Sequence, residues 1–287
     1  MKSSLKKISK IILLLTVTGS SLFAQKADDV QVGNLLVSKI KVDGNTNDWT
    51  TPLKAINKTT GLSYTIANDA KNLYVVMQAV NVNDTRKILM GGITFSINED
   101  GKKKTKEALV LTYPVITRNS RRAAFGGAGG AGGAARMGAS FQNMTAEQRD
   151  SMQLSFGKRQ IEAAKDIKIF GFKNITDTLV SIYNEYSIKA IASLNDKGIY
   201  TYEIAIPLEL IPVDVNKEFG YNIKLNGLQL NFGGGENRPG GGGGGQVTAI
   251  RVQGGGGGFG GQAGGGNVEF QNLLSPTDFW GKYTIAK

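Results

Sequence analysis

The chain has 287 residues, of which 39 are glycine, none is cysteine and none is histidine, and its formal net charge is +11. Without cysteine there is no disulfide, thiol nucleophile, iron–sulfur cluster or lipid-anchored cysteine; without histidine there is no Ser-His-Asp triad and no imidazole-ligated zinc or haem. A bound metal would have to be a hard cation held by oxygens, of which calcium fits best.

The first element is an address. Lys2, Lys6, Lys7 and Lys10 form a basic n-region, Ile11 to Val17 is apolar apart from Thr16, and Thr18 to Ala24 is small and weakly polar. That is the pattern of a secretory signal peptide over residues 1–24, with Gln25 as the first mature residue or, because Leu22 is large for the −3 position, cleavage after Ser21 as the alternative. The apolar run is shorter than the ~20 residues a membrane span needs. The expectation is an exported protein, periplasmic or extracellular, with no stable span after cleavage and no lipoprotein anchor. Removing residues 1–24 takes away four lysines and no acid, which brings the charge to +7. Residues 25–34 then read as a flexible lead-in, and residues 35–287 as a single domain.

Period-2 alternation dominates that domain. Strands are expected near 35–42, 62–66, 72–80, 93–98, 107–113, 167–173, 178–183, 188–194, 200–206, 221–225 and 279–285. The 72–80 run is apolar on both faces, as a central buried strand should be. Asp100-Gly101 and Lys197-Gly198 read as hairpin tips. Lys102, Lys103, Lys104 and Lys106 follow the first tip as a charge cluster that reads as a solvated hairpin tip or, alternatively, as a contact for anionic polysaccharide or a membrane surface. One helix is expected near 145–165, with Thr145 as N-cap and Gln148 completing a capping box. Met152, Phe156, Ala163 and Ile167 fall on one face of it, and Gly157 weakens it by ~1 kcal/mol. Asn226-Gly227 marks a turn or bulge where the apolar phase slips.

Glycine is concentrated in three windows. Residues 126–138, 233–245 and 254–266 hold 26 of the 39. Such tracts cannot bury enough apolar surface to offset their ordering entropy, so they read as disordered inserts. No Gly-x-x-x-x-Gly-Lys-Ser/Thr string is present, and the arginines are too sparse for an Arg-Gly-Gly nucleic-acid segment. The fold class expected is therefore all-β: an antiparallel sandwich with one inserted helix and Gly-rich loops.

Four strings carry a resemblance. Val42-Asp43-Gly44-Asn45-Thr46-Asn47-Asp48-Trp49 is similar to the opening "DG…W" motif of the family 9 carbohydrate-binding module-like domains. Ala67-Asn68-Asp69-Ala70-Lys71-Asn72-Leu73-Tyr74-Val75 resembles their next signature, Tyr202 to Pro207 their late strand, and Phe279 to Tyr283 their closing strand. The resemblance covers roughly residues 35–287. It implies a β-sandwich used as a secreted module and a possible role in binding carbohydrate.

The residues themselves give a narrower picture. Asp43-Gly44 and Asn68-Asp69 fit turns, and Trp49 reads as a core anchor. Sugar-binding relatives clasp a sugar ring between paired exposed tryptophans, whereas this chain has only Trp49 and Trp280. By strand alternation Trp280 lies opposite Phe279, Tyr283 and Ile285 and shares a face with Lys282. Trp280, Lys282 and Tyr113 form the candidate ligand-binding set. Asp43, Asp48 and Asp69 are weak calcium candidates, since the regular Asp-x-Asp-x-Asp-Gly loop is absent; no other cofactor is expected. No catalytic residue is assigned: Glu203 and Glu209 could in principle serve as an acid and base pair, but Glu203 reads as facing outward and no spacing brings a second acid opposite it. The partners to weigh are a glycan or, if the sandwich is a scaffold with glycine tethers, a cell-envelope protein. Nucleic acid is not expected.

Overall fold

The computed structural model describes residues 27–105, 108–116, 144–228 and 271–287. The signal-peptide candidate and all three glycine windows lie outside the described residues. In chain order the described residues hold β1 Ala55–Ile56, β2 Leu62–Asn68, β3 Asn72–Ala79, α1 Val82–Gly91, β4 Ile93–Asn98, β5 Leu109–Tyr113, α2 Ala146–Ala163, β6 Asp166–Phe170, β7 Leu179–Ser181, β8 Lys189–Leu194, β9 Tyr200–Pro207, β10 Phe219–Leu225, a helical stretch over 271–274 and β11 Thr277–Tyr283. The strands make two sheets, one in the order β1-β2-β3-β9-β8 and the other β11-β10-β4-β5-β6-β7. Every named strand pair is antiparallel. The fold is an all-β sandwich.

The alternation explains the packing. Leu62, Tyr64 and Ile66 from β2 and Tyr200, Tyr202 and Ile204 from β9 point between the sheets. There they meet Phe95 from β4, Tyr221 and Ile223 from β10 and Phe279 from β11. Aromatics fill the middle: Tyr64 packs against Phe279 at 5.0 Å between ring centres, and the Tyr64 and Tyr221 hydroxyls share a hydrogen bond of 2.8 Å. That bond partners two phenols that would otherwise be costly to bury.

A second, smaller core covers the other face of the first sheet. Ile40, Val42, Trp49 and Leu53 from the N-terminal segment lie on Ala67, Tyr74, Val76 and Ala205. β3 and β9 are thus enclosed on both faces, which is why the 72–80 run is apolar throughout. The segment 35–42 supplies this cover without being a strand. Apart from an isolated bridge of Leu36 to Asn68 it has no ladder, so the expected first strand is corrected to an irregular packed segment.

Residues 28–34 are also placed differently from the flexible lead-in expected. Asp28 bridges to Ala55, and the Gln31 amide is built into β2: its Nε2 donates to the Ile66 carbonyl at 2.9 Å and its Oε1 accepts from the Ile66 N–H at 2.8 Å. The helix expected near 145–165 spans Ala146–Ala163 with the reciprocal capping box of Thr145 and Gln148. It runs unbroken through Gly157, where a Cβ would meet Leu194 at 2.7 Å and Leu89 at 2.9 Å, so the missing side chain is what lets the helix approach. A second helix, α1, was not expected. Asn81 caps it by accepting from the Asn83 N–H at 2.8 Å, and Gly92, at φ +75°, ends it.

Candidate functional site

The two tryptophans stand in opposite environments. Trp49 is 6% exposed, on the second core. The turn before it needs Gly44: its φ is +82°, and a Cβ there would meet Ser193 Cβ at 3.1 Å. The loop closes on Glu203. Glu203 Oε1 accepts from the Trp49 indole N–H at 2.7 Å, and Oε2 accepts from the backbone N–H groups of Asp43 at 2.8 Å and Gly44 at 2.6 Å. Burial pushes the Glu203 carboxyl above its ordinary range, against the pull of those three donors.

Glu203 is therefore not outward in any useful sense. Its strand face points away from the inter-sheet core, as alternation requires, but residues 40–53 cover that face and leave the side chain 0% exposed. A carboxylate enclosed in this way holds a loop in place and offers no oxygen to a substrate. Glu209 sits exposed on the single 3₁₀ turn that follows β9.

The three aspartates are each occupied in their own turns. Asp43 Oδ1 accepts from the Asn45 N–H at 3.0 Å and Oδ2 pairs with Lys41 Nζ at 3.1 Å; Lys41 holds the Asp43 carboxyl below the ordinary range. Asp48 Oδ2 accepts from the Lys41 N–H at 2.9 Å. Asp69 Oδ1 accepts from the N–H groups of Lys71 and Asn72, both at 2.7 Å, and Oδ2 from the Tyr74 hydroxyl at 2.8 Å. Among the described residues no three acidic side chains come together where an ion could be held.

Tyr113 lies on the core side of its sheet. It is 3% exposed, its ring stacks on Tyr202 at 5.5 Å, and its hydroxyl donates to the Ala164 carbonyl at 3.2 Å. Burial pushes the phenol up to about 12. The structure thus separates Tyr113 from the other two members of the set.

Trp280 and Lys282 do share a surface. β11 is the edge of the second sheet, with Phe279, Gly281 and Tyr283 buried and Trp280 and Lys282 on the outer side. Gly281 lets the strand lie close, since a Cβ there would meet the Tyr221 ring at 2.2 Å. Trp280 is partly exposed and pairs across the ladder with Asn222, while Lys282 pairs with Gly220. Asn222 is buried, its Nδ2 donating to Asp278 Oδ2 and to the Phe279 carbonyl, both at 2.8 Å. Lys282 Nζ meets Glu218 Oε1 at 2.6 Å, with both side chains exposed. An indole thus lies among an ion pair and a carboxylate oriented by an amide. Of these, Asn222, Asp278 and Glu218 escaped the sequence reading. The signal was available for Asn222, which takes the polar phase of a strand whose apolar phase is the core.

Among the described residues no helix is long and apolar enough to cross a membrane. No protein-family model matches this chain, and no curated protein sequence matches it. Among solved structures it is similar to a family 9 carbohydrate-binding module from Caldicellulosiruptor kristjanssonii in complex with glucose. The identity is 12%, the match covers 69% of this chain and 80% of that one, and the TM-score is 0.30.

Proposed function

We propose that this protein is an exported, non-catalytic β-sandwich that binds glycan on the outer face of β11 around Trp280. One observation carries the reading: Trp49 is committed to the Glu203 loop, while Trp280 is left partly exposed on an edge strand beside Lys282, Glu218 and Asp278. An indole face packs on sugar C–H groups, and the flanking charged side chains accept and donate to hydroxyls. The export part rests on the n-region, apolar run and small-residue stretch of residues 1–24.

A single aromatic platform implies weak binding. The expected Kd is about 1 mM, equivalent to about −4 kcal/mol. The test is titration of the mature protein with cello-, xylo- and malto-oligosaccharides, followed by tryptophan fluorescence. At least one series should perturb the emission, and Trp280→Ala should abolish that response while leaving thermal stability nearly unchanged. No response from any series, or an equal response in Trp280→Ala, contradicts the proposal.

A further inference from the structure

A concavity on the described surface lies away from Trp280. It lies on the outer face of the other sheet, at the end where β3 begins, β8 begins and β9 ends, and its volume is about 660 Å³. Ordinary ligand pockets occupy ~300–1,000 Å³. The N-terminal segment forms one wall with Lys39 and Ile40, the turn before β3 contributes Lys71, and β8 contributes Lys189. The floor is apolar, with Val42, Tyr74, Ala205 and Pro207.

Charge is what marks this cleft. Three lysines line it against a single acid, Glu209. Elsewhere among the described residues Lys41, Lys102, Lys158, Lys217 and Lys282 pair with a carboxylate, while others such as Lys54, Lys103 and Lys197 do not but stand apart from one another. Lys39, Lys71 and Lys189 have no carboxylate partner within 4.0 Å among the described residues, and here three such cations line one concavity. The nearby acid that could have neutralised Lys71, Asp69, is instead occupied by two backbone N–H groups and the Tyr74 hydroxyl.

The register spaces them. Lys189 pairs with Ala205, and Ala205 with Tyr74, so Lys189 stands two strands from β3, about 10 Å away at the usual inter-strand spacing. Lys71 lies three residues before Tyr74, another ~10 Å along the strand direction. Its position is held because its carbonyl accepts from the Leu208 N–H at 2.8 Å. One small anion would not satisfy cations spread this widely, whereas a chain carrying a charge on successive units would. The mouth also holds a strained residue: Ser187 has φ +58°, a conformation that costs a non-glycine residue ~1–2 kcal/mol. Strain of that kind gathers at ligand clamps.

We propose that this cleft binds an acidic glycan, with Lys39, Lys71 and Lys189 meeting carboxylate or sulfate groups on neighbouring sugars above the apolar floor. A nucleic acid fits less well, because Tyr74 is 4% exposed and its hydroxyl is tied to Asp69, so no base-stacking platform is available. A membrane surface fits less well because the charges surround a hollow. The site is independent of Trp280, which lies on the other sheet.

The test is calorimetric titration of the mature protein with oligogalacturonate and with a sulfated chondroitin oligosaccharide. A maltooligosaccharide of equal length and vesicles rich in anionic lipid serve as comparisons. The expected result is binding of at least one acidic oligosaccharide, weakened by added salt. The double variant Lys71→Ala/Lys189→Ala should lose about 10-fold or more in affinity, as expected for two charge-assisted contacts. Lys189→Glu should lose at least as much, and Trp280→Ala should lose nothing. These lysines are exposed, so thermal stability should change little. The inference is overturned if neither acidic glycan binds, if the neutral one binds this cleft equally, if the lysine variants bind unchanged, or if only the vesicles bind.

Discussion

Glu203 shows how one side chain can look like chemistry and act as structure. Its place on β9 follows from alternation, but alternation cannot say what covers a sheet's second face. The cover is Trp49 and the Asp43-Gly44 turn, more than 150 residues earlier in the chain. Because burial raises the folded carboxyl above the ordinary glutamate value of 4.5, the folded state binds this proton more tightly than the unfolded chain does. Glu203 therefore contributes stability that is fully present below pH 4.5 and is lost as pH rises through its folded pKa. A carbon-detected NMR titration should place the Glu203 midpoint above 4.5, and Trp49→Phe, which removes one donor to the carboxylate, should move it higher still. A midpoint below 4.5 would mean that the three donors outweigh desolvation. Asp43 and Asp69 run the other way. Asp69 is held below its ordinary range despite some burial, because Lys71, Tyr74 and Asn72 all donate to it.

At the scale of elements, the strongest signals are local ones. Thr145 and Gln148 mark the start of α2 through side-chain chemistry that operates within one turn, so no tertiary information was needed. Thr145→Ala should cost ~1 kcal/mol, measured by denaturant unfolding, if α2 unfolds together with the sandwich. No change would show that the helix is not coupled to the fold. Its contacts predict coupling, since Gly157 packs against Leu194 of β8 and Leu89 of α1. The helix α1 was missed because it is ten residues between two strands and ends at Gly91-Gly92, which reads as a loop. Asn81, one residue before it, was the available clue. Tyr113 was misplaced for a related reason. Alternation gives two faces for a strand, and the choice between them depends on which partner sheet lies opposite.

The whole molecule is closed where its two described ends meet. Asn68 Oδ1 accepts from the Tyr283 hydroxyl at 2.9 Å and the Ala286 N–H at 2.8 Å, and its Nδ2 donates to the Ala286 carbonyl at 2.9 Å. Its backbone N–H donates to the Leu35 carbonyl at 2.9 Å. The sandwich was legible because each strand advertises its own buried face. This clasp, the second core and the lysine cleft were not, because each joins residues far apart in sequence with no local pattern. The same holds for the candidate site: Trp280 and Lys282 are two residues apart on one strand and could be placed, while Asn222 and Glu218 join them only through the β10–β11 register.

Under the proposed function Trp49 serves structure and Trp280 serves binding. Amide and indole NMR spectra of the nitrogen-labelled mature protein test it directly, because the two indole N–H signals report separately. With Trp49 donating to a buried carboxylate and Trp280 on the outer face of β11, the account predicts that the Trp49 signal resists hydrogen exchange and stays fixed during titration with a binding oligosaccharide. The Trp280 signal should exchange readily and move. Movement of the Trp49 signal with Trp280 unmoved, or no movement of either across the oligosaccharide series, would contradict it.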